Sequence, residues 1–103
     1  MRLIYYPDQK DMTLAGVLYA LGDAVRLEVV RRLASQNSLP CCALSDSVAK
    51  STLSHHFKVL RESGIIYSRR EGTQYINSLR REDLEARFPG LLDAVLRGLE
   101  EKL

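Results

Sequence analysis

Leu14, Val17, Leu18 and Leu21 recur at the spacing of one helical face, and Gly22 follows where such a helix would stop. Asp23 then reads as the N-cap of a second helix, AVRLEVVRRLAS, with Leu27, Val30 and Ala34 on one stripe and Leu33 beside it. The stretch from Gln36 to Pro40 is polar and turn-like, and Cys41 to Ser47 leaves room only for a short third helix. From Lys50 the helical period returns. With successive residues about 100° apart, Leu53, Phe57 and Leu60 share an apolar face. Ser51, His55 and Lys58 fall opposite, with Ser54 beside them. Ser51 or Thr52 is the expected cap, and Gly64 sits where a left-handed residue would end the helix.

Beyond Gly64 the pattern becomes strand-like. Ile65, Ile66, Tyr67 and Ser68 lead to Arg69 and Arg70, and after a turn at Glu71-Gly72 come Thr73, Gln74, Tyr75 and Ile76. β-formers on both sides of a glycine turn predict a two-stranded hairpin. A short charged helical segment follows from Arg80 to Phe88, then Pro89-Gly90, then a tail with Leu91, Leu92, Val95, Leu96, Leu99 and Leu103 at helical spacing. The expected fold is mainly α with a two-stranded β-hairpin, one winged helix-turn-helix domain over residues 1–103 in which the hairpin is the wing. The apolar tail needs a surface to cover it. It can pack on its own domain or, beside the first helix, form an isologous dimer seam. The dimer is the expectation, with Leu14, Val17, Leu18, Leu91, Leu92, Val95, Leu96 and Leu99 in the seam.

Charge sharpens this picture. The chain of 103 residues carries a net +2, yet residues 50–81 hold seven Lys or Arg against two Glu, so the remainder is net negative. Positive charge is thus gathered on the last helix of the pair and on the hairpin, as a footprint for phosphates requires. With 46% hydrophobic and 27% charged residues the composition is that of an ordinary globular domain. No apolar run approaches the roughly 18 residues that would span a bilayer. The N-terminus lacks the features of a signal peptide, so the expected location is the cytoplasm. Cys41 and Cys42 are the only cysteines and are adjacent, which argues against a disulfide-built fold.

The order of these motifs resembles the ArsR/SmtB family of bacterial winged-helix repressors. LGDAVRLEVVRRLA is similar to that family's second-helix signature, STLSHHFKVLRESGII to its recognition helix, and RREGTQYINSL to its wing. The similarity runs from about Leu14 to Ile76. It implies a homodimer that binds an imperfect palindrome in an operator, represses its own or a neighbouring gene, and leaves the DNA on a signal the sequence does not name. The family's major-groove contacts map onto Lys50, Ser51, Ser54 and His55, with Lys58 a phosphate contact. Arg69 and Arg70 of the wing would reach the backbone or an adjacent minor groove. One departure is the connection ALSDSVAKSTLS, about two residues shorter than the family's and lacking its glycine.

Other residues invite weaker readings. Metal sensors of the family often carry Cys-x-Cys where this chain has contiguous Cys41-Cys42, and adjacent cysteines on a helix diverge by about 100°. An incidental or core pair is the expectation, ahead of an exposed thiol that senses oxidants or a soft metal or metalloid site. His55 and His56 are the only imidazoles, so a zinc site on the tail, which offers Asp83, Glu85 and Asp93, is not expected. No metal and no cofactor is implied. His56 reads as a boundary packing residue. Tyr5, Tyr6, Tyr67 and Tyr75 read as packing too, and the Arg80-Arg81 pair as a solvated helix start or a backbone contact. No nucleophile elbow, phosphate loop or ligand cluster suggests an enzyme. The competing function is a winged helix that docks a protein through the same polar face. Interface cores are poor in Lys, which disfavours it.

Overall fold

Local chemistry starts each of the first two helices. In a computed structural model, which describes residues 7–36, 39–40 and 49–101, a 3-10 turn at Gln9–Asp11 leads into α1, Leu14–Leu21. Thr13 caps α1 by accepting from the Gly16 amide at 3.0 Å. Asp23 caps α2, Ala24–Ser35, by accepting from the Arg26 amide at 3.0 Å, as the sequence suggested. Strand β1, Leu39–Pro40, precedes α3, Lys50–Ser63. The hairpin strands are β2, Ile66–Glu71, and β3, Gln74–Leu79. Two helices close the chain: α4, Arg81–Arg87, and α5, Leu91–Glu101. The expected third helix and Cys41 and Cys42 lie outside the described residues. Among the described residues no helix is long and apolar enough to cross a membrane.

The sheet corrects the sequence reading in two respects. It has three strands in the order β1-β3-β2, all antiparallel, because Leu39 and Pro40, expected in a turn, pair with Asn77 and Ile76. The cause is Asn77, which is fully buried: its Oδ1 accepts from the Ser68 hydroxyl at 2.5 Å and its Nδ2 donates to the Leu39 carbonyl at 3.4 Å. Proline is tolerated there because β1 is an edge strand. The hairpin register pairs Glu71 with Gln74, so the turn is Gly72-Thr73, one residue later than expected, with Gly72 at φ 62.

One core cluster joins α1, α2, α3, the base of the hairpin, α4 and α5. Leu53, Phe57 and Leu60 of α3 are buried in it, as their spacing predicted. On α2 the inward face is Val29, Val30 and Leu33, with Arg26 on the same stripe, while Leu27 and Ala34 are only half-buried. The inward stripe is therefore rotated from the expected one, toward the face that carries Arg26. A second misreading is Arg80, expected at a solvated helix start but 4% exposed. Its guanidinium donates to the Pro7 carbonyl at 2.8 Å and to Asp83 at 2.9 Å, and lies 4.6 Å from the Tyr67 ring centroid. With Gln9 on Asp83 and Arg87 on the Met12 carbonyl, it straps residues 7–12 against α4.

Candidate nucleic-acid interface

Helix α3 has two unlike sides. Leu53, Phe57 and Leu60 hold one side in the core, which leaves Ser51, Ser54, His55 and Lys58 exposed on the other. Four of the five residues expected on the reading face are thus on one solvent-facing surface. Lys50 opens the helix, and its side chain lies outside the described residues. The cap is Ala49, whose side chain bonds nothing, so Ser51 and Thr52 are first-turn residues and not caps. That first turn contains no carboxylate to offset the positive end of the helix. At the other end Gly64 is left-handed at φ 94, and the Ile65 amide returns to the Leu60 carbonyl at 3.0 Å. This closure turns the chain directly into the wing.

The wing separates its two arginines. Neighbours on a strand face opposite ways. Arg69 shares a side with Glu71 and pairs with it at 2.9 Å. Arg70 lies on the other side, across from Tyr75, with its guanidinium 5.8 Å from that ring and donating to the Gly72 carbonyl at 3.2 Å. Both are exposed and leave the hairpin from opposite sides, and the charge of Arg69 is partly offset by Glu71. Tyr67 and Asp83 mark the base of the wing. The Gln9 amide, with Arg80 and Tyr67, holds the Asp83 carboxyl below the usual range, and burial raises the Tyr67 hydroxyl above its own. Asp83 is therefore a strap anchor. Among the described residues no group of three or more His, Cys, Asp or Glu could hold a metal.

His56 is 8% exposed and packs as expected, yet it is also bonded: its Nδ1 lies 3.1 Å from a guanidinium nitrogen of Arg26. Arg26, with Asp23 three residues before it, is part of the second-helix signature in the sequence, but neither its burial nor its partners are expected there. A stripe of Arg26, Val29, Val30 and Leu33 at helical spacing was the available signal, had an arginine been admitted to the core face.

The seam residues divide. Leu14 and Leu18 are half exposed, with Tyr19 beside them at 68%. On α5, Leu91, Val95, Leu96 and Leu99 are half-buried. Val17 is fully buried and Leu92 is 7% exposed, so both pack in the protomer's own core and offer no side chain to a partner. A helical stripe of four leucines or valines wraps around enough of α1 to serve two surfaces, and spacing alone assigned all of it to one.

Comparison with known proteins agrees with this geometry. A family profile described as a helix-turn-helix domain matches residues 21–69. The uncharacterized HTH-type transcriptional regulator YceK of Bacillus subtilis is 35% identical over 89 residues, covering 82% of this chain and 88% of that protein. Among solved structures, the transcriptional repressor BigR from Xylella fastidiosa is 31% identical, covers 82% of this chain and 83% of its own, and superposes with a TM-score of 0.65. The homodimeric winged helix-turn-helix DNA-binding domain Mb0332 from Mycobacterium bovis, described as a possible ArsR-family regulator, is 28% identical with a TM-score of 0.66, covering 87% of this chain and 83% of its own. The buried and exposed faces of α3, the wing behind it and these relatives together place the chain in the ArsR/SmtB family of winged helix-turn-helix DNA-binding transcriptional regulators, to which it belongs.

Proposed function

We propose that the protein is a repressor that binds an imperfect palindrome as a homodimer, each copy laying α3 in the major groove of one half-site. The observation that carries this reading is the polar face of α3, where Ser51, Ser54, His55 and Lys58 stand exposed opposite a buried apolar face. Lys50, Ser51, Ser54 and His55 meet base edges, and Lys58 meets a phosphate. Arg70, on the wing side without Glu71, is the stronger backbone contact of the two wing arginines. The seam uses Leu14, Leu18 and Tyr19 of α1 with Leu91, Val95, Leu96 and Leu99 of α5, around a two-fold axis. BigR is a transcriptional repressor and the Mb0332 domain is a homodimer, which supports both halves of the reading. The signal that ends binding acts at a site outside the reading face, with Cys41 and Cys42 the first residues to test.

The test is binding to a fluorescent DNA fragment from upstream of the protein's own gene, over a salt series, with reductant, peroxide, arsenite and zinc added separately. Affinity that exceeds that for a mixed-sequence duplex and falls steeply with salt is the expected result. His55→Ala or Ser54→Ala should weaken the specific complex by roughly 1–3 kcal/mol per lost base contact. Binding that is indifferent to salt would point to a protein partner on the same face. Release by peroxide or arsenite that is lost in Cys41→Ser or Cys42→Ser would identify the sensor.

A further inference from the structure

Arg26 is a cation held at 6% exposure, and a buried guanidinium must find acceptors for its N–H groups. It finds them on two helices. Its Nε donates to the Ala20 carbonyl at 2.6 Å and its Nη2 to the Tyr19 carbonyl at 3.3 Å. These belong to the last turn of α1, where its dipole is negative and its carbonyls have no further intrahelical donors, although that of Tyr19 also accepts from the Gly22 amide at 3.1 Å. The remaining direction is filled by His56 of α3, with Nη1 3.1 Å from Nδ1. Asp23 stands alongside, its Oδ2 3.7 Å from the same imidazole nitrogen. The Tyr19 ring lies 5.4 Å from the guanidinium carbon, and the His55 ring lies 5.9 Å from that of His56. Arginine can only donate, so Nδ1 of His56 accepts, and the imidazole proton is on Nε2.

We propose that Arg26 and His56 form a polar latch that sets the roll of α3 against α1, making both of them positioning residues for DNA recognition without contact to DNA. The inference rests on the DNA-binding reading of α3. Leu53, Phe57 and Leu60 hold α3 in the core through burial, which is non-directional and so defines a small roll of the helix less sharply than a hydrogen bond does. The hydrogen bond to Arg26 is directional. His56 is adjacent in sequence to exposed His55, so fixing one fixes the azimuth of the other. A roll of about 15° moves atoms at a helix's outer radius of roughly 5–6 Å by about 1.5 Å. That is enough to break a hydrogen bond to a base edge, while leaving contacts to phosphates, which tolerate long flexible side chains, nearly intact. The latch also has an outer end: Tyr19, whose carbonyl it grips, is exposed beside Leu18 on the face assigned to the dimer seam. A rearrangement of that seam would therefore reach the reading helix through Arg26.

The experiment compares the intact protein with His56→Leu and His56→Gln. It measures affinity for the upstream DNA fragment and for a mixed-sequence duplex, alongside the thermal midpoint. His56→Leu is expected to bind the upstream fragment about tenfold more weakly and the mixed-sequence duplex within about twofold of wild type. His56→Gln, whose amide oxygen can accept from Arg26, is expected to return specific affinity to within about threefold of wild type. Nitrogen-15 NMR of the intact chain, with the imidazole neutral, is expected to find the His56 proton on Nε2. A proton on Nδ1, equal loss in the Gln and Leu variants, or wild-type affinity in His56→Leu would each overturn the latch. Should His56→Leu not fold, the tautomer and the His56→Gln affinity decide the matter by the same criteria. Wild-type protein that binds neither duplex would defeat the DNA reading itself, and the proposal with it.

Discussion

Gly64 is the hinge between the recognition helix and the wing, and replacing it with alanine tests how tightly that junction is built. Its φ of 94 lies in the left-handed region, where a residue with a Cβ is disfavoured by about 1–2 kcal/mol. The added methyl would also stand 2.6 Å from Met12 Cγ and 2.9 Å from its sulfur, closer than nonbonded atoms can approach. Met12 is 1% exposed, so it can move only by disturbing the core, and overpacking of that kind costs about 1–3 kcal/mol. The two effects together amount to about 2–5 kcal/mol. Each kcal/mol lowers the midpoint of a domain this size by about 4–8 °C, so Gly64→Ala should lose at least about 8 °C. Thermal unfolding followed by circular dichroism at one fixed protein concentration is the assay, since self-association would make the midpoint concentration-dependent. A second arm combines Gly64→Ala with Met12→Ala. The smaller side chain vacates the space that the new methyl needs, so the double variant should cost at least about 0.5 kcal/mol less than the sum of the singles. A single variant within about 4 °C of wild type, or strictly additive singles, would refute the account of the junction.

Asn77→Ala should destabilise by about 1–3 kcal/mol, because it removes the acceptor of the buried Ser68 hydroxyl and the donor to the Leu39 carbonyl; urea unfolding gives the value, and hydrogen exchange should show β1 detaching. The Asp83 carboxyl is held below its ordinary 3.8, so its contribution is complete at neutral pH and disappears as pH falls below 3.8 through the lowered native value. Urea midpoints of wild type should drop over that acid interval, and Asp83→Asn should flatten the drop while lowering stability at neutral pH. Leu18→Glu, at a position 49% exposed and thus neutral for the protomer fold, should give monomers by analytical ultracentrifugation at micromolar concentration and weaken binding to a two-site fragment far more than to a half-site. A dimer of unchanged strength would move the seam off this face of α1.

Much of the architecture could be read from the chain because local rules act where tertiary contacts do not compete. Asp23 caps α2, Gly64 ends α3, and the spacing of Leu53, Phe57 and Leu60 separates the core side of α3 from its solvent-exposed polar side. The same spacing was ambiguous on α1, where one stripe supplies Val17 to the core and Leu18 to the surface. Periodicity reports which residues are apolar together; it carries no information on how many surfaces the helix meets.

The amino-acid sequence by itself determined the first two helices, the amphipathic α3 with its polar side, the left-handed junction and the hairpin, since each follows from caps, periods and turn residues within a few positions of one another. Only the tertiary structure decided the fate of the charged and polar side chains. Arg26 and Arg80 are buried because nearby acceptors are joined by an imidazole 30 residues away for the first and a carbonyl 73 residues away for the second, and Asn77 draws Leu39 into the sheet across 38 residues of chain. Hydrophobic residues announce their destination through a non-directional preference for burial, whereas a polar group can be buried only where specific partners meet it, and those partners are assembled by the fold.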